Sequence, residues 1–135
     1  MKPEDREQYV KYRLESAYKT MDAAKVLAKN GFWNSAVNRL YYSAYYAVNA
    51  LLVQNEIYAQ SHAGTKNQFS LLFIKTKKID IKYGKLFSEL FDWRQKGDYE
   101  NLFDYDAESV EPLFQPVLEL IELIEKEVKS PYNKP

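Results

Sequence analysis

The stretch NSAVNRLYYSAYYAVNALLVQ, Asn34 to Gln54, decides how this chain is read. At about 100° per residue, Val37, Tyr41, Ala44, Tyr45, Val48 and Leu52 fall on one arc, widened by Leu40 and Leu51. That arc predicts a helix, capped at Asn34 or Ser35 and running to about Asn55, with its apolar side on a core. Arg39, Tyr42, Ser43 and Tyr46 fall on a different side, with Ser35 and Asn49 near them. Arg39 and Tyr46 are two turns apart and project within roughly 20° of each other, with Tyr42 between them. One helix thus carries a core face and a second face that is aromatic and polar and holds one cation.

Outward from this helix the same period recurs. On the N-terminal side, Val10, Leu14, Ala17, Met21, Ala24 and Leu27 or Ala28 make one stripe over Asp5 to Lys29, and Asn30-Gly31 supplies a stop. On the C-terminal side, IYAQSHAGT reads as a loop, followed by a third helix over about Lys66 to Lys77 with Phe69, Leu72 and Phe73 inward. Lys78 to Lys82 alternates too briefly for a sheet and reads as a connection. A fourth helix is expected from about Tyr83 to Lys96, carrying Leu86, Phe87, Leu90, Phe91 and Arg94, with Gly97 placed to end it. After the loop DYENLFDYD, Asp106 or Ser109 starts a last helix carrying Val110, Leu113, Val117, Leu120, Ile121 and Ile124. Pro112 suits a first turn, whereas Pro116 costs a hydrogen bond unless the helix starts late or bends there. SPYNKP reads as a loose tail. The expectation is an all-α, up-and-down bundle of about five helices, one domain over residues 1–130 with a tail at 131–135.

Composition narrows the chemistry. The 135 residues hold 19 Lys+Arg against 19 Asp+Glu, a formal charge of zero, so the whole surface cannot act as a polyanion binder and any basic site must be local. With no Cys and one His, thiolate catalysis, disulfides and Cys or multi-His metal sites are excluded. Four Gly leave nothing from which to build a glycine-rich phosphate loop. No apolar run is long enough to span a membrane and the charged start has no secretory pattern, so the expected location is cytoplasmic, with no membrane partner and no cofactor. Twelve Tyr imply many rings whose hydroxyls need partners, a composition also favoured at interfaces.

The second face of the Asn34–Gln54 helix allows two readings. In one, Tyr42 and Tyr46 pack on a neighbouring helix or a second protomer while Arg39 pairs with a carboxylate. In the other, the planar fork of Arg39 binds phosphate and the tyrosines stack on a base. Asn38-Arg39-Leu40-Tyr41-Tyr42-Ser43-Ala44-Tyr45-Tyr46-Ala47 with Ala50-Leu51-Leu52 resembles the core helix of the HEPN domain family. Ser61-His62-Ala63-Gly64 with Phe69 resembles a second element of it, and Arg94-Gln95-Lys96-Gly97-Asp98-Tyr99 a third. In order and spacing the three cover about residues 10 to 128, and the likeness is closest to small stand-alone members encoded beside a minimal nucleotidyltransferase.

The resemblance implies a bundle that forms a homodimer through the face carrying the Arg. In nuclease members an Arg followed after four to six residues by His makes a metal-independent RNA-cleaving site, with a polar residue just before the Arg. Asn38 and Arg39 match that start, but positions 44, 45 and 46 hold Ala, Tyr and Tyr. An imidazole near pKa 6.5 exchanges protons at neutral pH and an unperturbed phenol near 10 does not. The expectation is therefore a non-catalytic or degenerate module, uncertain as an enzyme and leaning against it. It would bind a nucleotide, RNA or a nucleotidyltransferase partner through Asn38, Arg39, Tyr42, Tyr46, Arg94 and Asp98, in a toxin–antitoxin or defence pair. The alternatives are a ribonuclease in which Tyr46 or His62 works with Arg39 in place of the missing His, and a purely structural helical dimer.

Other features have plainer readings. His62 reads first as a capping or loop-anchoring residue. Arg94 and Asp98 are spaced for a helical ion pair. Glu119, Glu122, Glu125 and Glu127 alternate with apolar residues as a solvated face and offer no metal site. Lys75, Lys77, Lys78, Lys82 and Lys85 form the densest basic stretch, ordinary exposed charge or a landing strip for RNA or an acidic partner.

Overall fold

In a computed structural model, which describes residues 1–100 and 102–129, the chain is an all-α bundle with no strand among the described residues. The expected tail at 131–135 lies outside those residues. Helix α1 spans Pro3–Lys29, with Pro3 at its start, Glu4 and Asp5 in its first turn and Lys29 in its last, charges that suit the helix dipole. It begins two residues earlier than the stripe alone indicated. Val10, Leu14, Ala17, Met21 and Ala24 are buried as read, and Gly31 takes φ 78° just past the end, a left-handed conformation that costs glycine little.

Helix α2, Trp33–Gln54, is the central element and packs against α1 and against the helices that follow it in the chain. Its N-cap is Phe32, without a side-chain cap, so neither Asn34 nor Ser35 caps it. The Asn34 amide is used elsewhere. Its Nδ2 donates to the carbonyls of Gly97 (3.3 Å) and Phe103 (2.8 Å), and its Oδ1 accepts from the Tyr105 amide (2.8 Å). A residue of the first turn of α2 thereby holds Gly97, Phe103 and Tyr105, more than sixty residues along the chain.

Helix α3, His62–Phe69, starts four residues before the expected point, because Ser61 caps it by accepting from the Gly64 amide. It continues as a π turn over Ser70–Ile74, so the helical run ends short of Lys77. The connection is shorter than the expected 78–82: it bends at Lys78 and Ile79, burying Ile79, and reaches Asp80, which caps the next helix by accepting from the Lys82 amide, so Ile81 and Lys82 are already helical. Helix α4, Ile81–Tyr99, runs straight through Gly97. Glycine there does not stop the helix; it makes room, since a Cβ would sit 3.1 Å from the Tyr105 ring.

Asp106 caps α5, Ala107–Val110, which passes through a 3-10 turn, Glu111–Leu113, into α6, Phe114–Lys129. Pro112 sits in the 3-10 turn and Pro116 in the first turn of α6, where no intrahelical N–H is needed. The late start that Pro116 required is present, since the α-helix opens only at Phe114. Buried residues from all of these elements join one core cluster, with Tyr41, Phe69, Phe87, Leu90, Leu120 and Ile121 fully enclosed. Burying each such side chain contributes roughly 1.5–3 kcal/mol.

Candidate nucleic-acid interface

The second face of α2 becomes, in three dimensions, a strip of tyrosine rings crossed by arginines. The Arg39 guanidinium carbon lies 5.1 Å from the Tyr42 ring centroid, one turn along the same helix. Its Nε and Nη2 both donate to Asn38 Oδ1, at 3.0 and 2.7 Å, and Asn38 Nδ2 donates to Asp98 Oδ2 at 2.9 Å. Asn38, Arg39 and Asp98 are thus brought together, with the amide as the link and no ion pair between the charges.

Arg94 behaves differently from its expected pairing. Asp98, one turn further along α4, is engaged by Asn38, and neither a hydrogen bond nor an ion pair joins it to Arg94. The Arg94 guanidinium instead lies over two rings, 4.9 Å from Tyr41 and 5.7 Å from Tyr42. Tyr42 leads on to Tyr46 at 6.0 Å, and Tyr46 carries a third cation, Arg13 of α1, at 4.9 Å. Arg13 Nε also donates to the Tyr9 hydroxyl, which donates to the buried Asn49. Of the residues read onto this face, Ser43 departs from it: it is fully buried, with its hydroxyl on the Leu40 carbonyl.

His62 arrives from α3. Its Nδ1 is 2.7 Å from the Tyr41 hydroxyl, a bond that either partner can donate depending on the imidazole tautomer. The imidazole lies 4.5 Å from the Tyr45 ring and edge-on to Tyr42 at 5.7 Å. The residue therefore anchors the start of α3, as its plainer reading held, and also shares Tyr42 with Arg39. Burial, with Arg94 adding to it, holds His62 below the usual imidazole range, so it is neutral at pH 7. Burial pushes the Tyr41 hydroxyl well above the usual phenol range against the pull of Arg94, so it stays protonated.

Among the described residues the ion pairs are Arg6–Glu56 and Lys129–Glu125, so none of Arg13, Arg39 and Arg94 is neutralised by a carboxylate. The chain has four arginines, and three of them lie on this strip. Reading α2 alone missed Arg13, Tyr9, Tyr41 and Tyr45 as participants. The partition of arginine from the far more numerous lysines was the available signal. Arg stacks flat on rings and Lys is a strongly hydrated point charge.

The remaining candidates lie elsewhere. Lys75, Lys77, Lys78, Lys82 and Lys85 are exposed around the turn between the π turn and α4. Glu125 accepts from the Tyr18 hydroxyl and pairs with Lys129, and no group of metal-ligating side chains occurs among the described residues. A larger cavity, about 560 Å³, lies between the start of α1 and the end of α6, lined by Val10, Leu14, Tyr18 and Val128 under a rim of both charge signs. No helix is long and apolar enough to cross a membrane among the described residues.

The chain is similar in sequence to known proteins. The profile of the HEPN domain family matches residues 10–128. A UPF0332 protein of Thermotoga maritima is 33% identical, over 93% of this chain and 96% of its own. Two proteins of Methanocaldococcus jannaschii, both named "Putative toxin", are 35% and 31% identical over 74% and 72% of this chain, and 68% and 74% of their own.

Proposed function

This chain belongs to the HEPN domain family, and from that premise we propose that it is a nucleotide- or RNA-binding module of a toxin–antitoxin or defence pair. The observation that carries the reading is the set of three guanidiniums lying on tyrosine rings without a carboxylate partner. Each guanidinium keeps N–H groups at its edge for phosphate oxygens, and the guanidinium planes lying over the half-buried Tyr42 and Tyr46 rings are surfaces on which bases stack. The toxin names of the two relatives agree with a role of this kind. The proposal includes a homodimer formed on the arginine face and a minimal nucleotidyltransferase as the partner protein.

Cleavage is not part of this reading. The positions where nuclease relatives carry His hold Ala44, buried, and Tyr45 and Tyr46, half-buried. The second reading, a ribonuclease, is favoured by one observation: His62 and Arg39 both rest against Tyr42. The test is binding of short labelled single-stranded RNA and of nucleotides, with cleavage followed in chelator. A loss of roughly tenfold or more in Arg39→Ala, the scale of a charge-assisted hydrogen bond, with no RNA cut, supports the binding module. Equal weak binding by both proteins removes Arg39 from it. Chelator-resistant cleavage abolished by His62→Ala replaces it with the nuclease.

A further inference from the structure

Among the described residues, Arg94 alone carries a buried side-chain polar atom with no hydrogen-bond partner. It is 8% exposed, and its Nε is shut off from solvent with no hydrogen-bond partner. Tyr41 and Tyr42 supply ring faces but no anion, and Asp98 is occupied by Asn38. A buried guanidinium without a counter-ion is costly, and such a group is retained where something supplies the missing charge. Since Nε alone is both enclosed and unsatisfied, the terminal nitrogens are the part of the group that solvent and ligands reach.

We propose that Arg94 seats a terminal phosphate, the phosphomonoester of a nucleotide or of an RNA end, beside His62. This rests on the binding reading above and specifies which part of the ligand the exposed tip of Arg94 takes. A guanidinium presenting only its tip suits an end group that can enter, whereas a diester is flanked by sugars on both sides. Arg39, on the other side of Tyr42 in the chain of contacts, is held by Asn38 and Asp98 and remains for the rest of the ligand.

His62 reports on the event. The groups around it are Tyr41, Tyr42 and Tyr45 of α2, Arg94 of α4 and, on its own helix, Lys66, whose ammonium lies over Phe91. Burial, with Arg94 adding to it, holds its affinity for protons down; a phosphate on Arg94 cancels that charge and adds an anion, so His62 takes up a proton more readily. As the chain has one histidine, its imidazole resonances are assigned without ambiguity.

The experiment follows the His62 titration by NMR in the intact protein, alone and with adenosine, adenosine 5′-monophosphate, and one pentanucleotide with a 5′-phosphate or a 5′-hydroxyl. The expected result is an upward shift of the His62 midpoint with ligands that end in phosphate and none with adenosine or the 5′-hydroxyl RNA. A shift with the mononucleotide alone identifies a free nucleotide, and a shift with the phosphorylated RNA identifies an RNA end. Arg94→Gln, checked for its fold by circular dichroism, should raise the ligand-free midpoint and abolish the shift; if it does not fold, the wild-type series decides. Binding of the monophosphate that leaves His62 unmoved overturns the inference and leaves the binding module standing. Equal shifts with both RNAs overturn it in favour of a diester. No binding of any ligand overturns both.

Discussion

The Tyr41 hydroxyl lies 2.7 Å from His62 Nδ1, joining a fully buried ring of α2 to the first residue of α3. The bond satisfies a phenol that has no water around it and fixes where α3 begins. Tyr41→Phe keeps the ring, which stacks on Phe87 at 5.8 Å, and leaves the imidazole without its partner. The expected cost is about 1 kcal/mol in urea unfolding. A variant as stable as the parent would show that the bond contributes nothing to folding.

The pH dependence of stability follows from the shifted groups. Burial lowers His62 from its ordinary value of 6.5, so its contribution is present above pH 6.5 and is lost as pH falls, when the unfolded chain takes up the proton more readily. The hydroxyls of Tyr18, against Glu125, and Tyr105 are pushed up to about 12 by burial first. Their contribution is present below pH 10 and is lost as pH rises through about 12. Unfolding midpoints measured from pH 5 to 12 should fall at both ends. Tyr18→Phe should flatten the alkaline limb, and an unchanged limb would refute its share.

Gly97→Ala sets two effects against each other. Alanine favours a helix interior by about 1 kcal/mol over glycine. Its Cβ, however, would stand 3.1 Å from the Tyr105 ring, which is stacked on Trp93 at 4.8 Å and donates its hydroxyl to the Trp93 carbonyl at 3.1 Å. A ring held twice yields poorly, so the single change should destabilise. In a Tyr105→Ala background the same change should stabilise by about 0.5–1 kcal/mol. Equal effects in both backgrounds would rule out the close approach as the reason for glycine.

Asn34→Ala removes three hydrogen bonds to the 97–105 segment. A loss of roughly 1–3 kcal/mol is expected, together with faster proteolytic cleavage near residues 98–105. Cleavage at the parental rate would mean that Trp93 and Tyr105 hold the segment without help.

Arg39→Lys tests geometry against charge in the proposed binding. Lysine keeps the charge but cannot reproduce the flat fork over Tyr42 or the paired donation to Asn38. RNA affinity should drop nearly as far as in Arg39→Ala. Full affinity in the lysine variant would reduce the residue to a point charge.

Local spacing made the helices legible, because an apolar stripe at a period of 3.6 states which residues must leave water. The Val10–Ala24 stripe and the Val110–Ile124 stripe are buried as read, and the Pro112–Pro116 conflict is met by an α-helix that opens only at Phe114 after a 3-10 turn. Helix ends were less legible. Ser61 and Phe32 mark starts that a stripe cannot show, and Gly97, a breaker by propensity, is kept inside α4 by a ring from another segment.

What the chain alone determined is the bundle, the core arc of α2 and the presence of Arg39, Tyr42 and Tyr46 on a second side. Those follow from periodicity, which one helix can express by itself. Only tertiary structure decided that Arg13 and Arg94 come to the same rings, that Asp98 serves Asn38 instead of Arg94, and that His62 closes on Tyr41. These residues lie on α1, α3 and α4, and their contacts depend on how the helices cross, which is set by packing the whole core rather than by spacing within any one segment.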